Sequence, residues 1–197
     1  MRLEAKGIGF RYGKGPWLFR DMHVAVEPGE IVGITGVSGR GKTTFGRILA
    51  GFEQPLEGEV LLDGKRIGTK GVHPVQLVLQ HPEQAVNPRW KMSKVLAESG
   101  QFNPSLHQLL GIESEWMTRW PNELSGGELQ RFCVARAISA NPRFLIADEM
   151  TTMLDAITQA QIWHAVLETA KERNMGIIVI SHERKLVERL CNRVVAL

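Results

Sequence analysis

Eight residues constrain this chain more than any others. Gly36-Val37-Ser38-Gly39-Arg40-Gly41-Lys42-Thr43 fits the pattern G-x-x-x-x-G-K-[ST]. Just upstream lies Ile31-Val32-Gly33-Ile34, the apolar run of a strand buried on both faces. A helix is predicted just downstream. In that setting glycines let the backbone curl so that successive N–H groups face inward, and those groups with the helix N-terminus form an anion site for phosphates. Lys42 adds positive charge at the β- and γ-phosphates, and Thr43 offers a hydroxyl to Mg²⁺. An incidental glycine-rich turn is the weaker reading, because strand and helix are both in place.

The rest of the chain fits a fold built around that loop. Strands are predicted at Leu3 to Phe10, His23 to Glu27, Ile31 to Thr35, Glu59 to Asp63 and Val75 to Leu79, with turns at Pro28-Gly29 and Asp63-Gly64. From Glu83 to Ala140 the pattern is helical, with loops at Asn87-Pro88 and Trp120-Pro121. Phe144 to Ala147 and Ile177 to Ile180 read as buried strands. Between them Ala160, Trp163, Val166, Leu167 and Ala170 recur at helical spacing. A helix near Lys185 to Leu190 and a strand from about Arg193 follow. Alternating strands and helices imply right-handed crossovers and a parallel sheet. The 197 residues suit one domain, an α/β core holding a helical insertion.

Composition narrows the setting. Hydrophobic residues make up 43% and charged residues 23%, which is globular rather than disordered. A net charge of +3 gives no argument for a nucleic-acid partner. Cys133 and Cys191 make neither a disulfide framework nor a zinc cluster, so a reducing compartment is expected. No apolar run approaches the roughly 18 to 20 residues that span a bilayer, and Met1-Arg2-Leu3-Glu4 is not a secretory signal. The expected chain is cytosolic and able to dock on a membrane protein.

Two further constellations carry chemistry. Phe144-Leu145-Ile146-Ala147-Asp148-Glu149 is an apolar strand ending in two carboxylates. Ligands of an open sheet bind beyond the carboxyl ends of its strands, so Asp148 is expected beside the phosphate loop holding Mg²⁺. Glu149 then orients or deprotonates the attacking water. Leu124-Ser125-Gly126-Gly127-Glu128-Leu129-Gln130-Arg131 opens a helix, with Ser125 and Glu128 spaced as a capping box. A well-capped helix alone explains that pair. The glycines it does not explain, since each costs a helix about 1 kcal/mol relative to alanine. Two glycines in a first turn make sense where a ligand approaches bare backbone. One chain thus carries two half-sites for phosphate.

This last segment resembles the signature of the ATP-binding cassette (ABC) ATPases, and the family's other motifs follow in order over nearly the whole chain. Tyr12 lies where the family stacks an aromatic on adenine. Gln80 matches the Q-loop glutamine, Thr152-Met153-Leu154-Asp155 resembles the D-loop, and Ile180-Ser181-His182-Glu183 the H-loop. The resemblance implies a P-loop NTPase cassette with a mostly parallel core sheet and an N-terminal antiparallel β subdomain (1–82 and 141–197), and a helical signature subdomain (83–140). It implies that ATP and Mg²⁺ are bound at a head-to-tail dimer. Gly36 to Thr43, with Thr44, bind the nucleotide, and Thr43, Gln80 and Asp148 serve Mg²⁺. Glu149 is the general base, and His182 contacts the γ-phosphate. Ser125, Gly126, Gly127 and Glu128 form the signature that grips the partner's nucleotide, and Asp155 couples the two sites.

The chain departs from the family pattern in places. Met150 stands where the family usually has proline, which leaves the D-loop softer, and Arg40 replaces a commoner small residue. The sequence stops at Leu197, where many relatives continue, so a minimal or shortened cassette is expected. Residues 81–124, between Gln80 and Ser125, hold no coiled coil, which disfavours chromosome-maintenance relatives. Ala85-Val86-Asn87-Pro88-Arg89 is similar to the nickel or metal-chelate branch of the dipeptide, oligopeptide and nickel importers. The resemblance therefore implies an ATPase subunit on the cytoplasmic face of the membrane. Its implied partners are a second cassette (identical or different), transmembrane permease subunits and a solute-binding protein, with no nucleic acid. Two other readings stay open. One is a poorly hydrolysing cassette that pairs with an active one, which intact Glu149 and His182 disfavour. The other is a nucleotide kinase, which Ser125 and Gln80 disfavour.

Overall fold

In chain order the first elements are β1 (Leu3–Phe10), β2 (Phe19–Val26), β3 (Ile31–Thr35), α1 (Lys42–Leu49), β4 (Glu57–Leu62), β5 (Lys65–Arg66) and β6 (Val75–Val78). There follow α2 (Met92–Ala97), α3 (Pro104–Leu109), α4 (Gly126–Ser139), β7 (Phe144–Asp148), α5 (Ala156–Arg173), β8 (Gly176–Ile180), α6 (Arg184–Leu190) and β9 (Arg193–Ala196). These come from a computed structural model that describes residues 2–68, 71–100 and 103–197. Met1, Thr69, Lys70, Gln101 and Phe102, which the expected domain segments include, lie outside the described residues.

The strands form two sheets. An antiparallel sheet runs β2-β1-β4-β5, and a parallel sheet runs β6-β7-β8-β3-β9. The central strands β3, β7 and β8 read as apolar runs because both faces are covered, whereas the edge strand β9 is largely exposed. Along β7, Leu145 and Ala147 face one core, shared with α4 and α5, while Phe144 and Ile146 face the other, shared with α1 and the antiparallel sheet. Along β8, Ile177 and Val179 divide from Ile178 and Ile180 in the same way. No helix among the described residues is long and apolar enough to cross a membrane.

Several boundaries differ from the sequence reading. β2 begins at Phe19 rather than His23, because Phe19 pairs with Phe10 and is buried, while a register shift interrupts the alternation between them. β4 begins at Glu57 rather than Glu59, since Glu57 pairs with Gly9. The turn at Asp63-Gly64 leads into β5, which was not expected; both turn residues have positive φ, as a two-residue hairpin requires. β6 stops at Val78, and β7 runs on to Asp148. Much of the helical stretch is 3-10 turn, at Pro82–Gln84, Ser114–Thr118 and Pro121–Glu123. Proline at the start of the first and third suits a turn whose first N–H needs no partner.

Strand order is what builds a site. In space β6, β7, β8 and β3 are consecutive neighbours, with Val78 opposite Ala147, Asp148 opposite Ile180 and Ile34 opposite Ile180. Their carboxyl ends therefore present, side by side, the segments that carry Gln80, Asp148-Glu149, Ser181-His182 and the phosphate loop.

Candidate functional site

The phosphate loop leaves β3 and enters α1 through Gly41, the N-cap residue, which lies in the left-handed region at φ 92°. A Cβ there would sit 2.9 Å from the Phe19 ring, so glycine is required twice over. Lys42 is buried, and its Nζ donates to the carbonyls of Gly36 (2.9 Å) and Val37 (3.3 Å), which holds the ammonium over the curl of the loop. Val37, Ser38, Gly39 and Arg40 are exposed along the rim, as is Thr43 in the first turn of α1. Thr44 is buried; its Oγ1 stands 3.1 Å from the hydroxyl of Tyr12. The Tyr12 ring is exposed and meets Phe10 edge-on at 5.1 Å, so an aromatic surface stands beside the loop.

Asp148 ends β7. It is only 4% exposed, and its Oδ1 has no hydrogen-bond partner. Burial pushes its carboxyl above the ordinary range, and a hydrogen bond with Thr43 opposes that. A buried carboxylate oxygen with an unused acceptor, beside a threonine hydroxyl, is the hard-oxygen donor set that Mg²⁺ takes alongside nucleotide phosphates. Glu149 follows with φ 48°. The other non-glycine residues of positive φ among the described residues are Asp or Asn, which tolerate that region; Glu149 is the exception. Its N–H donates to the Ile180 carbonyl at 2.9 Å, which pins the strained backbone to the end of β8. The side chain turns toward His182, with Oε2 to Nδ1 at 3.2 Å. Ser181 Oγ accepts from the Glu183 N–H and shapes the turn that presents His182. Gln80 reaches the same cluster, donating from Nε2 to Thr152 Oγ1 at 3.2 Å.

The signature segment behaves as a capped helix. Ser125 Oγ accepts from the Glu128 N–H at 3.3 Å, and Glu128 Oε2 accepts from the Ser125 N–H at 2.6 Å. That backbone N–H holds the Glu128 carboxyl below its usual range. Nothing lies within 4 Å of where a Gly126 Cβ would be, and its φ is not positive. Neither conformation nor packing within the chain calls for glycine there. Asp155 caps α5, accepting from the N–H groups of Ile157 and Thr158 at 3.0 Å each.

Two separate cavities result. One of about 270 Å³ is lined by Ser125, Gly127, Glu128, Arg131, Leu154 and Asp155 among others. Another, of about 620 Å³, is lined by Gly36, Val37, His182, Arg184, Val187 and Val194 among others. They share no lining residue. The fold thus gathers Gln80, Asp148, Glu149, His182 and the phosphate loop at the carboxyl ends of the parallel strands, and sets Ser125 to Glu128 with Asp155 apart. Thr152, which bonds Gln80 and the Glu149 carbonyl, and Gln130, which bonds the carbonyls of the adjoining Leu79 and Met150, carry no individual role in the sequence pattern. The available signal was their position inside motifs already read.

The ABC transporter family model matches residues 19–152. The nickel import system ATP-binding protein NikE of Staphylococcus aureus strain N315 is 34% identical over 209 residues, covering 99% of this chain and 86% of that protein. The same protein of strain USA300 aligns to the same extent. Among solved structures, an ATP-binding subunit of an ABC transporter superposes with a TM-score of 0.86 at 21% identity, over 100% of this chain and 86% of its own. The ATP-binding cassette MJ0796, a dimer in a post-hydrolysis state bound to ADP and Pi, superposes at 0.83 and 23% identity, over 99% of this chain and 94% of its own.

Proposed function

The chain belongs to the ABC transporter family and is an ATPase cassette, and from that premise we propose that it hydrolyses MgATP in a head-to-tail dimer to drive import of a small solute. The solute passes through separate permease subunits, with a solute-binding protein upstream, while the cassette sits peripherally on the cytoplasmic face of the membrane. A nickel ion or metal chelate is the favoured cargo, on the likeness to NikE and on Ala85-Val86-Asn87-Pro88-Arg89, and a peptide is second.

The observation that carries the reading is the pair of candidate phosphate half-sites set apart in the fold, the phosphate loop between β3 and α1 and a separate cavity lined by Ser125, Gly127 and Glu128, with open space where a Gly126 Cβ would be. A second cassette facing the first brings signature and phosphate loop together twice over. Lys42 and the loop amides bind the triphosphate, and Tyr12 stacks on the adenine. Thr43, Asp148 and Gln80 would hold Mg²⁺, which would supply positive charge against the triphosphate. Glu149 accepts a proton from a water whose oxygen attacks the γ-phosphorus, the β–γ bridging P–O bond breaks, and ADP and phosphate result. His182 holds Glu149 and reaches the γ-phosphate. Ser125 and the backbone at Gly126 and Gly127 grip that phosphate from the facing chain, while Asp155 couples the two sites. Positioning and electrostatics supply most of the acceleration.

Phosphate release from the purified chain with MgATP, measured across protein concentrations beside Glu149→Gln, tests this. The rate per chain is expected to rise with concentration and to fall by about 10² to 10⁴ in the variant, the worth of a general base. A variant that hydrolyses at the parent rate overturns the base assignment. No release at any concentration, with ATP bound, means that a different cassette must complete the site.

A further inference from the structure

Gln130 lies on α4, five residues beyond the N-cap Ser125, and is 1% exposed. A carboxamide in that position needs partners. Its Nε2 donates to two backbone carbonyls, Leu79 at 3.0 Å and Met150 at 2.7 Å. One precedes Gln80 in the chain and the other follows Glu149. The orientation is forced, because carbonyls only accept and the amide nitrogen alone has two hydrogens to give. Nearer the site a second link joins the same two segments. Thr152 Oγ1 accepts from Gln80 Nε2 at 3.2 Å and donates to the Glu149 carbonyl at 2.7 Å. A hydroxyl has one hydrogen and two lone pairs, so one atom can serve both contacts.

We propose that Gln130 and Thr152 are positioning residues, which clasp the Gln80 and Glu149 segments into one unit and tie that unit to the helix that carries the signature. Loading the signature with the facing chain's phosphate then bears directly on the geometry of Gln80 and Glu149, through the capped first turn of α4, which separates Ser125 from Gln130. This rests on Gln80 and Glu149 acting as proposed above.

Thr152→Val removes the hydroxyl at constant shape, and Gln130→Met removes both donors at similar length. Both are compared with the parent chain and with Glu149→Gln. Amide hydrogen exchange is followed over residues 76–84 and 149–155 without nucleotide, alongside thermal unfolding, kcat and KM for ATP. Thr152→Val is expected to speed exchange roughly tenfold in both segments, although it lies in only one of them. kcat is expected to fall at least about tenfold with KM within roughly twofold, the split of an effect on the reacting geometry rather than on binding. Exchange that changes only in 149–155, with kcat at the parent value, overturns the inference; so does a loss of kcat no larger than the loss of folded protein. Thr152 is half-buried, so its variant decides the matter even if Gln130→Met does not fold. A parent rate in Glu149→Gln marks failure of the base assignment instead, since the exchange result stands without turnover.

Discussion

Glu149 Oε2 lies 3.2 Å from His182 Nδ1, across the ends of the adjacent strands β7 and β8. The Glu149 backbone, held at positive φ by its bond to the Ile180 carbonyl, directs the carboxylate to that contact. The histidine side chain is 66% exposed against 21% for the glutamate, so the pair has one sheltered member and one that faces the solvent.

His182→Ala is therefore expected to leave folding nearly untouched and to impair turnover. An exposed side chain contributes little packing. Loss of a group that positions the base and stabilises charge costs about 10² to 10³ in kcat. Thermal unfolding and steady-state phosphate release on one preparation check this. A large fall in Tm would recast His182 as a structural residue.

Gly126→Ala should separate stability from function. Open space surrounds the missing Cβ, so alanine fits, and the helix gains up to about 1 kcal/mol. For a chain of this size that raises Tm by about 2–4 °C. Turnover should nonetheless fall by at least roughly tenfold, because in the proposed dimer the methyl group would stand where the facing nucleotide meets bare backbone. Parent turnover with a raised Tm would remove the signature's claim on a ligand.

Asp155 caps α5 and is also proposed to couple the two sites. Asn caps helices as well as Asp does, so Asp155→Asn should keep neutral-pH stability close to the parent and lose the coupling, seen as slower turnover at saturating ATP. Asp155→Ala should lose both. The N–H of Thr158, with that of Ile157, holds the Asp155 carboxyl below its ordinary value of 3.8. A lowered carboxyl binds fewer protons folded than unfolded, so its contribution is present above pH 3.8 and lost as pH falls through the native value. Denaturant unfolding should therefore show the parent losing stability over that acidic window while the Asn variant, with no carboxyl to protonate at that position, is spared this loss, so the two diverge there.

Burial pushes the thiols of Cys133 and Cys191 up to about 11. At neutral pH the reactive thiolate is then scarce. Labelling of the native chain by a thiol reagent should run roughly a hundredfold slower than for a free thiol, and both sites should react at once in denaturant. Rapid labelling of native Cys133 would mean that α4 opens readily.

The candidate site residues are legible in the sequence because each lies in a short segment whose chemistry is local. Gly41 and Lys42 sit in one loop, Asp148 and Glu149 end one apolar run, and Ser125 with Glu128 close one capping box. Covalent spacing places such groups within a few ångströms of each other in any fold that forms the segment. For the same reason the parallel strands were found nearly in full, since an uninterrupted apolar run is what a strand buried on both faces must be. What could not be read is the register, the strand order and the individual contacts between segments far apart in the chain. The Phe10–Phe19 pairing that starts β2 early depends on register. So does β5, whose Lys65 and Arg66 are exposed and carry no apolar pattern. Insertion of β3 between β8 and β9 brings the phosphate loop beside His182. Gln130 read as one polar residue of a helix until the fold carried the Leu79 and Met150 carbonyls to it from 51 and 20 positions away. Local spacing fixes which groups are near in sequence, whereas strand order and helix packing are chosen by the burial of apolar faces across the whole chain, and that collective balance is written in no single segment.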